Sequence, residues 1–425
     1  MVDAVFGAGA GARINAALLR ASRGMRTDAT IMPADVMRRE TVESLVAGAD
    51  EYYKSGIANG ATSFLKRKPF HSIAESPQVL VRLGWLLEGA RLTTGLHVVE
   101  YGGGAGWLSA SLWQMGCHVT CVDASAAALD LAREAFEERR HMIAWPGATY
   151  ATALTDGHTL PLADASVDRV VCYDVFHHVP NQEQILREFH RVLKPGGLAC
   201  FSEPGRYHSA TAPSQHEMAN FRVLENDIVL EDIWRLARHA GFSGIDIRPM
   251  LDSYSLSLDG YLSLVDTGHF GIGGREALMS GTVSMSIFFL QKGTFLPDSR
   301  YPSSLSASIQ APASLHATSG VPTTMRVVCR NSGQGRWLSK GTDVGLLGMV
   351  NVALVRCDVT GAPVDRNWRR VPLPRDVEPG ETIEVACELV FPEPGSLCLR
   401  VELVSENVAW FEAASEPIAV TVSLP

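Results

Sequence analysis

Glu100-Tyr101-Gly102-Gly103-Gly104-Ala105-Gly106 sets three glycines at alternate positions. The run follows an apolar stretch, His97–Tyr101, and precedes a helical stretch from Gly106 onward. Glycine permits a tight turn and lets a ligand lie against bare main chain. Asp123 ends the next apolar stretch, 21 positions after Gly102 (123 − 102). A carboxylate there suits two ribose hydroxyls. The dinucleotide fingerprint Gly-x-Gly-x-x-Gly fails, because its third glycine would fall on Trp107 or Ser109. A nicotinamide or flavin is therefore the second choice. A Walker loop is excluded, since no Gly-Lys-Ser/Thr follows.

A second group could move protons. His177 and His178 follow the strand-like Arg169–Tyr173, and Glu203 follows Leu198–Ser202. Both positions are carboxyl ends of strands, the edge where open α/β sheets bind ligands. An imidazole titrates near ~6.5 and accepts a proton at neutral pH. One of the two histidines is the candidate general base; the alternative is a packing or capping role. Glu203 is either a catalytic acid or a loop acid that accepts hydrogen bonds. His208 and His216 read as solvated surface residues. No metal is expected: Cys and His are not clustered, and no adjacent Asp-Asn pair follows the fifth strand near Asp174.

Alternating strands and helices must position these groups. A helix capped by Ser76, with Pro77 at its first position, carries Val79, Leu80, Leu83, Leu86 and Leu87 on one stripe. Strands fall at His97–Tyr101, His118–Val122, Tyr150–Leu154, Arg169–Tyr173, Leu198–Ser202, Gly244–Arg248 and Ser284–Gln291. Helices fall at Ser125–Arg140, Asn181–Leu193 (stopped by Pro195-Gly196-Gly197) and Glu231–Ala240. Repeated βα units imply a doubly wound, mostly parallel sheet. Residues 250–282 are long for a connection and are a candidate lid.

Composition changes near residue 300. Of 13 His, only His316 lies beyond it, and Lys340 is the one Lys after 309. The tail reads as short strands punctuated by Pro379-Gly380 and Pro394-Gly395, which suggests a β-sandwich. The expected layout is a helical region and cofactor lid over 1–91, an α/β domain over 92–295, a linker over 296–308 and a β-sandwich over 309–425. Residues 1–26 are a packing arm or a transit-like segment.

The 425 residues carry a net charge of −9, which argues against nucleic acid as a partner. No apolar run reaches the ~18–20 residues of a membrane span, and no secretory signal is read. The eight cysteines include no Cys-x-x-Cys pair. Free thiols in the cytoplasm are expected.

The glycine turn resembles that of class I S-adenosylmethionine-dependent methyltransferases. So, in order, do Thr155-Asp156-Gly157-His158-Thr159-Leu160-Pro161-Leu162, then Ser166 through Val179, then Arg191-Val192-Leu193-Lys194-Pro195-Gly196-Gly197. The resemblance spans about residues 92–292 and implies a seven-stranded Rossmann-like sheet with S-adenosyl-L-methionine as cosubstrate. By it, Gly102, Gly104 and Gly106 flank the methionyl part, and Glu100 holds the turn or the amino group. Asp123 binds ribose, Asp156 with Gly157 meets adenine, and Tyr173 lines the methionine end. Tyr101 stands where the family carries an aliphatic or small residue. Tyr52, Tyr53, Phe70 and His71 either cover the cofactor or pack.

The tail, from Asn331-Ser332-Gly333 through Trp410-Phe411, resembles immunoglobulin-like modules of bacterial surface-polysaccharide enzymes. That implies a saccharide or glycan-precursor hydroxyl as methyl acceptor. Trp337, Trp368 and Trp410 are sugar platforms on one reading and core residues on the other. Alternatives are O- or N-methylation of a small secondary metabolite, and a non-catalytic scaffold. The tail could also serve homo-oligomerisation.

Overall fold

The computed structural model describes residues 30–252, 254–342, 345–358 and 360–425. The segment 1–26 discussed above lies outside them. β1 (His97–Tyr101), β2 (His118–Asp123), β3 (Tyr150–Leu154), β4 (Val167–Tyr173), β5 (Leu193–Pro204), β6 (Gly244–Arg248) and β7 (Met285–Gln291) form one sheet. Their order is β3-β2-β1-β4-β5-β7-β6. β7 runs antiparallel to both of its neighbours, β5 and β6, and the other pairs are parallel. Chain order reverses between β1 and β4, and a crevice opens at that point beyond the strand ends.

The apolar runs explain the burial. β4, β5 and β7 are covered on both faces, so they read as continuous rather than alternating apolar sequence. The helix Gln182–Val192 puts Ile185, Leu186, Phe189 and Val192 on one buried stripe. Phe201 of β5 stacks on Phe288 of β7 with ring centroids 4.5 Å apart. Tyr101 packs edge-on against Phe189.

Two local readings are corrected. The cap of the helix Ser76–Gly89 is Glu75; Ser76 is already helical, and its hydroxyl caps nothing. Pro195-Gly196-Gly197 does not follow the helix directly, because β5 begins at Leu193, which pairs with Val167. The register then shifts, and Gly196 takes φ +80° to absorb it. Residues 250–282, the candidate lid, hold the helix Leu258–Thr267 and most of the helix Gly271–Ser284.

Within the described residues, 30–92, 96–143 and 149–294 form one unit, and 93–95, 144–148 and 295–425 a second. The second unit is all-β. β8 (Ala307–Gln310), β10 (Thr323–Asn331) and β13 (Thr382–Leu389) make a three-stranded sheet. β9 (Ser314–Thr318), β11 (Val350–Cys357), β12 (Pro363–Pro372), β14 (Gly395–Ser405) and β16 (Ile418–Ser423) make the other, with β15 (Ala409–Ala414) added to β14. One apolar core draws on both sheets. The stretch read as a linker is built into this unit: Ser299 and Ser304 are buried, and Ser299 donates to the Gly348 carbonyl.

Trp337 is fully buried against Phe411 and cannot be a platform. Trp368 stacks on Phe391 beside the same core. Trp410 lies on Ala353, Val355 and Val404, with the Arg366 and Arg370 guanidiniums over its ring.

Phe201→Ala should destabilise the α/β unit by about 3–5 kcal/mol, the range for emptying a buried aromatic site. Denaturant unfolding followed by far-UV circular dichroism reads this. A loss below about 1 kcal/mol would mean that the stacked pair does not hold β5 to β7.

Candidate active site

The glycine turn takes left-handed backbone at Gly102, Gly104 and Gly106, with φ +68°, +53° and +75°. Only glycine adopts this cheaply. A Cβ on Gly102 would lie 2.0 Å from Val175 Cγ2, and one on Gly104 2.4 Å from the Tyr53 hydroxyl. Gly106 instead lets two helices approach, since its Cβ would sit 2.7 Å from that of Ala132. Asp123 ties the turn down. Its Oδ2 accepts from the Gly104 N–H and its Oδ1 from the Ser125 N–H, both at 2.8 Å. Burial pushes the Asp123 carboxyl above its ordinary pKa, and these backbone donors offset part of the rise.

A cavity of about 680 Å³ opens over this turn. Of the residues expected at the site, Gly102, Asp123, Gly157, His177 and His178 line it. Several others do not. Glu100 is buried beneath the turn, where its carboxylate accepts from the Ser109 hydroxyl. Burial raises its pKa to about 8. Asp156 is exposed, and its carboxylate accepts from the His158 and Thr159 N–H groups, which holds its own loop. The Tyr173 hydroxyl donates to the Val79 carbonyl, and its ring stacks under Arg82.

The proton-handling groups converge. Glu203 is wholly buried. Its carboxylate accepts from the Val175, Phe176 and His177 N–H groups and lies 2.7 Å from His177 Nδ1. Burial, with Asp174 nearby, pushes it up to about 7. Burial, then His178, holds His177 well below the ordinary imidazole value. His177 is therefore neutral at pH 7. With Nδ1–H donated to an ionised Glu203, the lone pair is on Nε2. That nitrogen faces Glu225 Oε2 at 3.9 Å.

Glu225 was missed by the linear reading. It is 5% exposed and receives three imidazoles: His208 Nε2 at 2.6 Å, His178 Nδ1 at 3.4 Å and His177. Burial opposes its charge, but the His208 hydrogen bond and the other two rings bring its pKa down to about 2. His208 is thus not a solvated surface residue; His216 is exposed. Ligand atoms of His177, His178 and Glu225 lie within 4.8 Å of one another, a donor set that a divalent cation could take. Sequence spacing could not reveal it, because Glu225 is 47 residues beyond His178 (225 − 178).

Two distant helices complete the wall. From Val42–Ala58 come Tyr52 and Tyr53, and Asp50 of that helix accepts from the Ser125 hydroxyl and the Ala127 N–H. From Ser76–Gly89 comes Arg82, whose guanidinium pairs with Asp174 and donates to Ser202. Burial works against the Asp174 charge, but Arg82, then Lys68, hold its carboxyl below the usual range. Asp174 sits at φ +53°, a strained conformation that these partners fix.

Residues 99–201 match the family described as a methyltransferase domain. The ubiquinone biosynthesis O-methyltransferase of Azoarcus sp. is 30% identical over 211 residues, which cover 45% of this chain and 83% of that protein. The enzyme of the same name from Cupriavidus pinatubonensis is 28% identical over 205 residues, covering 45% and 78%. Among solved structures, phosphoethanolamine N-methyltransferase 2 of Haemonchus contortus aligns at 19% identity and a TM-score of 0.41, over 60% of each chain.

Glu100→Gln tests the buried acid. Its folded pKa of about 8 exceeds the unfolded value of ~4.3. The stability that it contributes is therefore fully present below pH ~4.3 and is lost as pH rises through about 8. The variant should show a flatter loss of stability between pH 5 and 8, read by denaturant midpoints. An unchanged slope would mean that Glu100 is ionised in the folded chain.

Proposed function

The chain belongs to the class I S-adenosylmethionine-dependent methyltransferases, and on that premise we propose that it methylates a hydroxyl of a saccharide or glycan precursor. The observation that carries the reading is His177, held by Glu203 with its Nε2 turned to Glu225 at the cavity wall. A hydroxyl is a poor nucleophile until its proton has a destination. His177 Nε2 is placed to take it, and the ionised Glu203 steadies the resulting imidazolium.

The rest of that wall supports a hydroxyl-rich acceptor. Arg82, Asp174, Lys68, His178, His208, Glu217 and Glu225 all face the cavity. Arg82 pairs with Asp174, and His178 and His208 with Glu225, so the wall presents both donors and acceptors. An acceptor with several hydroxyls can meet more of them than a bare aromatic ring can. The immunoglobulin-like character of the second unit and its link to polysaccharide assembly belong to this same reading. A small secondary metabolite is the second reading, and the names of the O-methyltransferase relatives favour it.

S-adenosylmethionine supplies an electrophilic methyl group on a sulfonium, so the protein's own work is alignment and proton removal. The glycine turn fits this cosubstrate: bare backbone at Gly102 and Gly104 lies beside the Asp123 carboxylate. Asp123 would hold the ribose. Tyr53, over Gly104, would cover the methionyl end. Lys68 lines the cavity near Asp174 and would meet a carboxylate there.

Three measurements test the reading. Mass spectrometry of products from competing sugar nucleotides, oligosaccharides and phenols should show +CH2 on a sugar; methylation of phenols alone would sink the saccharide assignment. Asp123→Ala should weaken S-adenosylmethionine binding roughly tenfold or more, since about 1.4 kcal/mol is tenfold; calorimetry reads it, and unchanged affinity would remove the ribose role. In the third, kcat should rise with pH through about 7 as Glu203 ionises. Glu203→Gln should flatten that rise, and a rise that persists in the variant assigns the proton to another group.

A further inference from the structure

Six of the eight cysteines are buried: Cys117, Cys121, Cys172, Cys200, Cys329 and Cys387. The two that reach solvent in part are Cys357 and Cys398. They lie 41 residues apart in sequence (398 − 357), yet β11 and β14 set them directly opposite each other. In an antiparallel pair, directly opposed residues project to the same face of the sheet with Cα atoms about 4.5–5.5 Å apart. A disulfide accepts about 4.4–6.8 Å. Each thiol donates to a strand carbonyl, Cys357 to Val355 and Cys398 to Leu399. The face is the outer one: Cys357 lies with Ala353 and Val355 beside Trp410, while Val352 and Leu354 point into the shared core.

We propose that Cys357 and Cys398 form a reversible disulfide site, closed by exchange with a low-molecular-weight disulfide such as oxidised glutathione. One thiolate attacks a glutathione sulfur, forming a mixed disulfide and expelling one glutathione thiolate. The second cysteine attacks the protein sulfur of that bond and expels nothing but the second glutathione. Two protein thiols are oxidised, one glutathione disulfide is reduced to two thiols, and two protons balance the charges. The bond would join the end of β11 to β14 beside the turn at Asp358, where β11 carries register shifts against β12. It needs no rearrangement of the sheet, because the register already provides the approach. This site is independent of the methyl-transfer reading and would stand if that reading failed.

The test uses the full reduced chain, exposed to oxidised glutathione under native conditions and then alkylated in denaturant. The expected result is a loss of two hydrogens from the intact mass, a fall from eight alkylated thiols to six, and a non-reducing digest that joins the Cys357 and Cys398 peptides. Dithiothreitol should restore all eight. In Cys398→Ser the same treatment should leave one glutathione on Cys357, which shows that the first step occurs and the resolving thiol is absent. A wild-type chain that carries glutathione separately on both cysteines, or that keeps both thiols free while retaining its native circular dichroism, would overturn the proposal. So would a crosslink that forms only after denaturation.

Discussion

Glu203 has no solvent exposure, and its carboxylate gathers three consecutive backbone N–H groups, those of Val175, Phe176 and His177, together with the His177 ring. An unpaired buried carboxylate would be costly enough to neutralise or unfold its surroundings. The turn after β4 must therefore wrap around it. That wrapping sets Asp174 at positive φ and aims His177 across the cavity. It also brings Val175 against Gly102, where no larger residue fits. The crevice between β1 and β4 thus takes its shape from one acid at the end of β5.

A second carboxylate, Glu225, faces the first across the His177 ring. The two are pushed in opposite directions. Glu203 is raised by burial and the nearby Asp174, whereas three imidazoles lower Glu225 against its own burial. Groups with separated pKa values can hold different protonation states at one pH, as acid–base sites require. His177 lies between an acid that titrates near neutrality and one that stays charged. Its proton can be fixed at Nδ1 while Nε2 stays free.

The sheet was legible because each strand is a short apolar run bounded by turn residues, and seven such runs recur at βα spacing. The glycine turn and Asp123 were legible because backbone conformation restricts residue type: positive φ at Gly102, Gly104 and Gly106 leaves little choice. Glu225 and Arg82 were not legible. Neither lies near the motif in sequence, and an acid or arginine in a helix or loop reads as surface by default. His208 misled for the same reason, since its partner is set by tertiary folding. Ser76 misled because capping depends on where the helix begins, and Pro77 is as acceptable at the second position as at the first.

Asp156 shows a different limit. The motif that contains it is present, but its carboxylate is occupied by the backbone of its own loop, at His158 and Thr159. Thr155 and Gly157, its neighbours, are the residues that reach the cavity wall. Asp156 therefore fixes the loop whose other residues form part of the cavity wall. The same holds for Glu100, which lies under the glycine turn and supports it through Ser109. Gly102 and Asp123 form the cavity wall, and Glu100, which helped make the sequence recognisable, lies one layer behind it.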